Sequence, residues 1–243
     1  YPMKLKRYAQ LHINRWRGEA RIDGIRLPLA PNVISANMEW TLAKGRYEWG
    51  EARMGARMVR PGDTVLELGS GLGFVSSYLR RTTTAGKIVC VEANPDLVPY
   101  IEAVHAINGI GNALVMNGVA QIPPHAAHVP FYCRGDFWAS SLDAETGAYE
   151  RAFDVPCLEL GELLEDHRPD VLIMDIEGGE LPLLEIERLP HVRAIVLEVH
   201  TNAYGQEGLE RLLASAERLG FRLDPRGSMR EVHTLIRQPS ALS

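Results

Sequence analysis

The chain has 243 residues, of which 46% are hydrophobic and 23% charged, and this globular composition is enough to build one substantial core. The formal net charge of −5 argues against a dedicated nucleic-acid binder, because such proteins are normally basic. No apolar run is long enough to cross a bilayer, and the start lacks the apolar stretch of a signal peptide. We therefore expect partners that are neither nucleic acids nor membranes.

The first 60 residues have mixed patterns and are predicted to form an N-terminal arm or cap. Glycine and proline punctuate residues 22–35, which predicts a short hairpin or an extended arm. Residues 41–59 have helical spacing, and the "RPGD" turn at 60–63 ends that helix.

From residue 61 onward, short apolar runs alternate with amphipathic stretches. Strands are predicted over 64–70, 87–95, 112–120, 170–180, 193–202, 221–224 and 232–238. Helices are predicted over 72–81, 95–110, 158–167, 180–189 and 207–220. This alternation predicts an α/β fold with a mostly parallel, seven-stranded central sheet and helices on both faces.

The middle of the chain breaks this alternation. Prolines and short alternating segments predict an antiparallel hairpin near 129–142, inserted at the sheet edge. We expect residues 1–243 to form one domain, with the arm at 1–60 and the α/β core at 61–243.

The spacing of the cysteines indicates the cellular compartment of the protein. Cys90, Cys133 and Cys157 are widely spaced and form no CxxC pair. This spacing favours reduced cytosolic thiols over a disulfide framework or a zinc site. We therefore expect a cytoplasmic protein. The oligomeric state stays open, and a homodimer is compatible with the sequence.

A glycine loop follows the first strand of the core. The segment "VLELGSGLGF" places Gly69, Gly71 and Gly73 between a strand and a helix, where glycines let a ligand approach the backbone. Glu92 ends the next strand, about 20 residues on, where a carboxylate binds ribose hydroxyls in nucleotide sites. A tight strand-to-helix turn without a ligand is the other interpretation.

The loop distinguishes two classes of cofactor. The dinucleotide fingerprint is G-x-G-x-x-G, whereas this loop reads G-x-G-x-G and has Phe74 in place of the third glycine. Glu67 precedes the loop, and its charge would repel a diphosphate but attract the cationic end of S-adenosylmethionine. The loop therefore favours S-adenosylmethionine over NAD.

Five segments carry a family resemblance. In chain order they are "VLELGSGLGFVSSYL", "CVEANP", "NGVA", "SSL" and "MDIEGGE", with "GRYEWGE" upstream. They resemble the FkbM-type methyltransferases, a branch of the class I S-adenosylmethionine-dependent fold, over about residues 40–200. The resemblance implies a Rossmann-like class I fold. It also implies methyl transfer, usually to oxygen and sometimes to nitrogen, often on sugars or secondary metabolites.

The resemblance also implies the cofactor contacts. The predicted cradle for the methionine part comprises Glu67, Gly69, Ser70, Gly71 and Gly73. The predicted ribose and adenine contacts are Glu92, Ala93, Asn94, Asn117, Gly118 and Val119, of which Val119 is equally compatible with a core position. Tyr47 and Glu48 are predicted to close over the cofactor, and the alternative for them is an ordinary helix start. Ser141 in the inserted hairpin is predicted to lie near the cofactor, and the alternative for it is a solvated turn.

Acidic residues follow two neighbouring strands of the predicted sheet. Asp175 and Glu177 are two residues apart, as are Glu198 and His200, so each pair points the same way along its strand. The carboxyl ends of parallel strands meet at the ligand-binding edge of such sheets. The sequence therefore predicts three carboxylates and one imidazole at a catalytic edge.

Three roles remain open for these residues. His200 has an ordinary pKa near neutrality and is a candidate base for a hydroxyl acceptor. Asp175 is an alternative base or a partner for the cofactor amine. Asp175, Glu198 and His200 together are also suitable ligands for Mg²⁺, which would lower the pKa of the acceptor hydroxyl.

The leading hypothesis is an S-adenosylmethionine-dependent methyltransferase that acts on a hydroxyl of a small molecule, a sugar or a secondary metabolite. One alternative is a NAD-type oxidoreductase, which the loop spacing and Glu67 disfavour. Another is a non-catalytic module that binds S-adenosylmethionine. The acids at both strand ends argue against such a module, because it has no use for a base.

Overall fold

The computed structural model describes residues 2–123, 125–134, 142 and 148–239. The helices in this part of the chain are α1 (Pro2–Arg17), α2 (Ala36–Leu42), α3 (Trp49–Met58), α4 (Phe74–Thr82), α5 (Val98–Ile107), α6 (Leu160–His167), α7 (Glu180–Leu183) and α8 (Thr201–Arg218). Its strands are β1 (Glu19–Ile22), β2 (Ile25–Pro28), β3 (Thr64–Leu68), β4 (Lys87–Glu92), β5 (Ala113–Asn117), β6 (Val119–Gln121), β7 (His128–Cys133), β8 (Arg151–Glu159), β9 (Val171–Met174), β10 (Ala194–Glu198), β11 (Phe221–Leu223) and β12 (Val232–Arg237). None of the described helices has the length and apolar character needed to cross a membrane.

The central sheet of the described chain has seven strands in the order β11-β12-β10-β9-β3-β4-β5. All of its pairings are parallel except those of β12, which runs antiparallel to both β10 and β11. The predicted seven-stranded, mostly parallel sheet is therefore confirmed, and the strands predicted over 221–224 and 232–238 pair as β11 and β12 at its edge.

Both faces of the sheet are buried, which explains the continuous apolar runs of its strands. Val65 and Leu66 are neighbours in β3 but belong to different core clusters, because successive side chains point to opposite faces. The Val65 cluster includes side chains of α3, α4, α5 and the β1–β2 hairpin. The Leu66 cluster includes side chains of α6, α7 and α8.

The strand order reverses at β3, which has β4 on one side and β9 on the other. Such a switch point leaves a crevice at the carboxyl ends of the strands, and ligands of open α/β sheets bind there. Register places Leu68 opposite Met174, so the glycine loop and the "DIEGGE" segment leave the sheet side by side.

The N-terminal region departs partly from its prediction. The predicted hairpin is present, and its turn at Asp23 and Gly24 has positive φ at both residues. The predicted helix over 41–59 is present only as α3 and the last two residues of α2, because Gly45 and Glu48 between them both adopt left-handed backbone conformations. Helix α1 had no counterpart in the prediction.

The predicted hairpin near 129–142 lies only partly within the described residues. Strand β7 pairs in antiparallel with β8 at Arg151–Glu159, and residues 135–141 lie outside the described part of the chain. Strand β8 also pairs in parallel with β6, which gives a separate three-stranded sheet instead of an addition to the central one. The predicted strand over 112–120 is interrupted at Gly118, where a side chain would collide with Leu158.

The helix predicted over 180–189 is only one turn long. Residues after Leu183 form turns, and Arg218 donates hydrogen bonds to the carbonyls of Leu184 and Ile186 at 3.0 and 2.9 Å. The side chain of Arg218 thus satisfies acceptors that a longer helix would have bonded internally.

Candidate functional site

A cavity of about 1180 Å³ lies at the carboxyl ends of β3, β4, β9 and β10. Small-molecule pockets commonly measure about 300–1,000 Å³, so this cavity has room for a nucleotide cofactor and a second molecule. The glycine loop and Glu92 line one part of it, and the residues that follow β9 and β10 line another.

The glycine loop is packed too tightly for other residues. A Cβ on Gly69 would overlap the carbonyl oxygen of Asp175, and Gly69 has φ +80°. A Cβ on Gly71 would lie 2.7 Å from both Glu48 Oε1 and Tyr47 Oη. Glycine at these positions lets the end of β9 and the start of α3 approach the loop.

Glu92 is held in a fixed orientation at the cavity wall. Its Oε2 accepts the N–H of Gly71 at 2.9 Å, and its Oε1 accepts the N–H of Asn94 at 2.8 Å. Burial raises the pKa of Glu92 to about 7, although these backbone donors oppose the shift. Each oxygen keeps a further lone pair, so the carboxylate is able to accept hydrogen bonds from a pair of hydroxyls.

Glu67 and Ser70 lie behind the cavity wall. Glu67 is 2% exposed, and Cys90 Sγ donates to its Oε2 at 3.2 Å. Burial raises the pKa of Glu67 to about 7. Within the described residues, Glu67 Oε1 and Ser70 Oγ form no hydrogen bond of ordinary geometry, and neither residue lines the cavity.

The predicted cofactor residues divide into two groups. Those that line the cavity are Tyr47, Glu48, Gly69, Gly71, Glu92, Ala93, Gly118, Val119 and Asp175. Those absent from its lining are Glu67, Ser70, Gly73, Asn94 and Asn117. Asn117 instead donates to the carbonyls of Glu92 and Ala93 at 2.9 and 3.1 Å, which supports the wall from behind. Ser141 lies outside the described residues.

Tyr47 and Glu48 cover the glycine loop at the entrance to α3. Tyr47 Oη and Glu48 Oε2 are buried and have no hydrogen-bond partner among the described residues. Burial and the nearby charge of Asp175 raise the pKa of Glu48 well above its usual value. Burial likewise raises the pKa of Tyr47, so its phenol stays protonated.

Four carboxylates, which we call the acidic cluster, converge on the other part of the cavity: Glu51, Asp175, Glu177 and Glu198. Burial and then the charge of Glu198 raise the pKa of Asp175. Burial also raises the pKa of Glu51 to about 7, with Glu198 adding to the shift. Like charges crowded in one site favour protonation of some of them.

Glu51 was not among the predicted site residues. It comes from α3 and is 6% exposed. The sequence did contain a signal, because Glu51 is the last residue of "GRYEWGE", one of the segments that carried the family resemblance. Because Glu51 is far along the chain from the acids that follow β9 and β10, the sequence did not show that it lies beside them.

His200 sits beneath the acidic cluster and does not line the cavity. Its Nδ1 is 3.1 Å from Glu180 Oε1, and its Nε2 is 3.3 Å from Glu177 Oε2 and 3.5 Å from Asp175 Oδ1. Burial lowers the pKa of His200, but the surrounding carboxylates outweigh it and raise the pKa to about 9. An imidazole that is protonated at neutral pH has no site for a further proton, which argues against His200 as the base.

Glu180 anchors this arrangement. It is fully buried and accepts the N–H groups of Ile176 and Gly178 at 3.0 and 3.1 Å, besides its contact with His200. The "DIEGGE" turn is therefore folded around one internal carboxylate, and the side chains of Asp175 and Glu177 are left for the cavity.

The predicted metal ligands are close together. One ligand atom from each of Asp175, Glu198 and His200 lies within 4.8 Å of the others. The structure thus brings together the three residues predicted as catalytic, although their chemical roles stay predictions.

Comparison with known proteins identifies the family. The model of the methyltransferase FkbM domain matches residues 65–223 of the chain. No curated protein sequence matches the chain significantly.

Among similar solved structures is precorrin-6Y C5,15-methyltransferase from Geobacter metallireducens, with 13% identity, coverage of 79% of this chain and 88% of that chain, and a TM-score of 0.47. Another is TYW2 from M. jannaschii in complex with AdoMet, with 14% identity, coverage of 90% and 82%, and a TM-score of 0.45. These identities and scores are too low to bear on the substrate or the site residues of this chain.

Proposed function

Because the chain belongs to the FkbM family of S-adenosylmethionine-dependent methyltransferases, we propose that it transfers the methyl group of S-adenosylmethionine to a hydroxyl of a small molecule. One observation carries the proposal. A single cavity joins the glycine loop and Glu92 to the acidic cluster at the switch point of the sheet. The first part suits the cofactor, and the second suits an acceptor that must lose a proton.

The cofactor is proposed to lie across the ends of β3 and β4. Glu92 accepts hydrogen bonds from the ribose hydroxyls, and Ala93, Gly118 and Val119 line the space for adenine. The methionine part then follows the glycine loop towards Asp175. A cationic sulfonium and amine beside Glu48 and Asp175 would favour the ionised forms of these two buried acids, whereas ionised carboxylates there would repel the diphosphate of NAD.

Methyl transfer to oxygen forms an O–C bond, breaks the S–C bond and releases the hydroxyl proton. We propose that a carboxylate of the acidic cluster takes this proton, with or without a divalent cation. Without a cation, protonated His200 supplies a positive charge beside the cluster, and its Nδ1 lies 3.1 Å from Glu180 Oε1. A module that only binds S-adenosylmethionine would not need these ionisable groups at the acceptor side.

The acceptor is proposed to be small and not a nucleic acid. A phosphate chain would be repelled by the acidic cluster and by the overall charge of −5. We further propose that the protein acts in the reducing interior of a cell, because Cys90 and Cys157 form no disulfide in the described chain.

The test uses S-adenosylmethionine with a deuterated methyl group and a panel of hydroxylated sugars and secondary metabolites, each matched with an amino analogue. The proposal expects S-adenosylhomocysteine and a product that carries the label on oxygen, as located by NMR. Label on nitrogen would overturn the choice of a hydroxyl acceptor. Binding of S-adenosylmethionine without turnover across the panel would favour the non-catalytic alternative.

A further inference from the structure

We infer that Asp175, Glu198 and His200 form a site for one divalent cation of the Mg²⁺ or Mn²⁺ class. The inference rests on the proposed function, because the cation would hold the oxygen of the acceptor hydroxyl. Ligand atoms of the three residues lie within 4.8 Å of one another. A ligand stands about 2.0–2.1 Å from Mg²⁺, so two ligands of one ion are at most about 4.2 Å apart, and a side-chain shift of a few tenths of an ångström lets one cation reach all three.

Among the described residues only His200 forms ion pairs with the carboxylates around the site, and its single positive charge does not balance them. Glu51 is 6% exposed, yet no ion pair joins it to a basic residue in the described chain. Arg46 and Arg230 also line the cavity, but neither forms an ion pair with the acidic cluster in this part of the structure. Buried carboxylates are costly unless a counter-charge accompanies them, and a divalent cation supplies two positive charges at once.

The oxygen Oδ1 of Asp175 is a second, independent indication that a ligand binds at this site. Asp175 Oδ1 is inaccessible to solvent, and among the described residues it has no hydrogen-bond partner. His200 Nε2 lies 3.5 Å from it, in a geometry that forms no hydrogen bond. A buried acceptor without a donor requires an explanation, and a cation bound at this oxygen provides one.

The imidazole is oriented as in metal sites of proteins. Histidine ligands usually present one ring nitrogen to the metal while a carboxylate holds the other. In this protein Glu180 Oε1 is 3.1 Å from His200 Nδ1, and Glu180 is itself fixed by the N–H groups of Ile176 and Gly178. This support directs Nε2 towards Glu177 Oε2 and Asp175 Oδ1, which lie 3.3 and 3.5 Å from it. Cation binding displaces the Nε2 proton of His200 to solvent.

Two carboxylates and one imidazole, with no thiolate in the group, indicate a hard cation. Such a cation lowers the pKa of a hydroxyl that it binds. Glu177 is outside this trio, and its side chain is 41% exposed. It is therefore available to accept the hydroxyl proton while the oxygen takes the methyl group and the S–C bond breaks.

The experiment measures Mn²⁺ binding by electron paramagnetic resonance after the full chain has been dialysed against EDTA. Wild type, Asp175→Asn and Glu198→Gln are compared, with Glu231→Gln as a matched control that lines the same cavity. We expect one bound Mn²⁺ in wild type and control, and affinity at least about tenfold weaker in the other two variants. Circular dichroism melting curves verify that each variant is folded.

The outcomes separate the cation from the proposed function. S-adenosylhomocysteine binding without Mn²⁺ binding in the wild type would overturn the cation site and leave the methyltransferase proposal intact. Mn²⁺ binding without S-adenosylhomocysteine binding would contradict the methyltransferase proposal and leave the cation site intact. Equal Mn²⁺ affinity in all four folded proteins would place any bound cation elsewhere and overturn the assignment of the ligands.

Discussion

Gly69 lies directly against the backbone carbonyl of Asp175, with no room for a Cβ between them. The N–H of Asp175 also donates to the carbonyl of Leu68 at 3.0 Å, so the cofactor loop and the acidic strand end are joined by backbone contact. The two halves of the cavity are therefore positioned by the sheet itself and not by flexible side chains.

This contact makes Gly69 the least replaceable glycine of the loop. Gly69→Ala should lower the free energy of unfolding by more than about 3 kcal/mol, because left-handed strain adds to a backbone collision. Gly62→Ala is the matched control, since Gly62 has φ +83° and nothing within 4 Å of a Cβ. It should lose only about 1–2 kcal/mol. Urea denaturation measures both, and equal losses would show that the collision relaxes.

Buried Glu67 should destabilise the free protein above neutral pH. A carboxyl group with a raised folded-state pKa stabilises the fold below its unfolded-state pKa, and this contribution disappears as pH rises through the folded-state value. For Glu67 these values are 4.5 and about 7. Glu67→Gln should therefore raise the unfolding free energy by about 3 kcal/mol at pH 8, and by far less near pH 5. Exposed Glu187→Gln should change neither value, and a gain that is independent of pH would contradict burial of the Glu67 charge as its cause.

Glu92 should make cofactor affinity depend on pH. Ribose hydroxyls donate to the ionised carboxylate, and the pKa of Glu92 in the free protein is about 7. Calorimetry should show affinity for S-adenosylhomocysteine rising about tenfold between pH 6 and pH 8. In Glu92→Gln this rise should shrink. The same rise in both proteins would assign the titration to another group, such as Glu67.

A variant of Glu177 tests whether this residue accepts the proton of the acceptor hydroxyl. Glu177→Gln should reduce turnover by about 10²–10⁴-fold, which is the usual contribution of general base catalysis. Its affinities for S-adenosylhomocysteine and Mn²⁺ should stay close to those of the wild type. Full turnover in this variant would return the role of proton acceptor to Asp175 or Glu198.

The fold was predictable where local patterns are strong. Strand β9 is four consecutive buried residues, and the glycine loop follows β3 directly, so both were visible in the sequence. Strand β8 was missed because Pro156 and alternating polar residues weaken its pattern. Its pairing with β6 and β7 is a tertiary contact that no local window contains.

Most residues of the site were predictable from the sequence, but the protonation state of His200 was not. Spacing and strand ends identified Asp175, Glu198 and His200. The contact of His200 with Glu180 depends on how the turn after β9 folds, and this contact contributes to the raised pKa that argues against His200 as the base. Glu51 joins the cluster from a helix that is more than 100 residues away along the chain.

Calorimetric titration of the wild type and Glu92→Ala with S-adenosylhomocysteine and with NAD tests the central claim most directly. The account predicts one S-adenosylhomocysteine per wild-type chain, no binding of NAD, and affinity weakened about tenfold or more in Glu92→Ala, because a charge-assisted hydrogen bond contributes about 1.5–3 kcal/mol. Binding of NAD without S-adenosylhomocysteine, or unchanged affinity in Glu92→Ala, would contradict it.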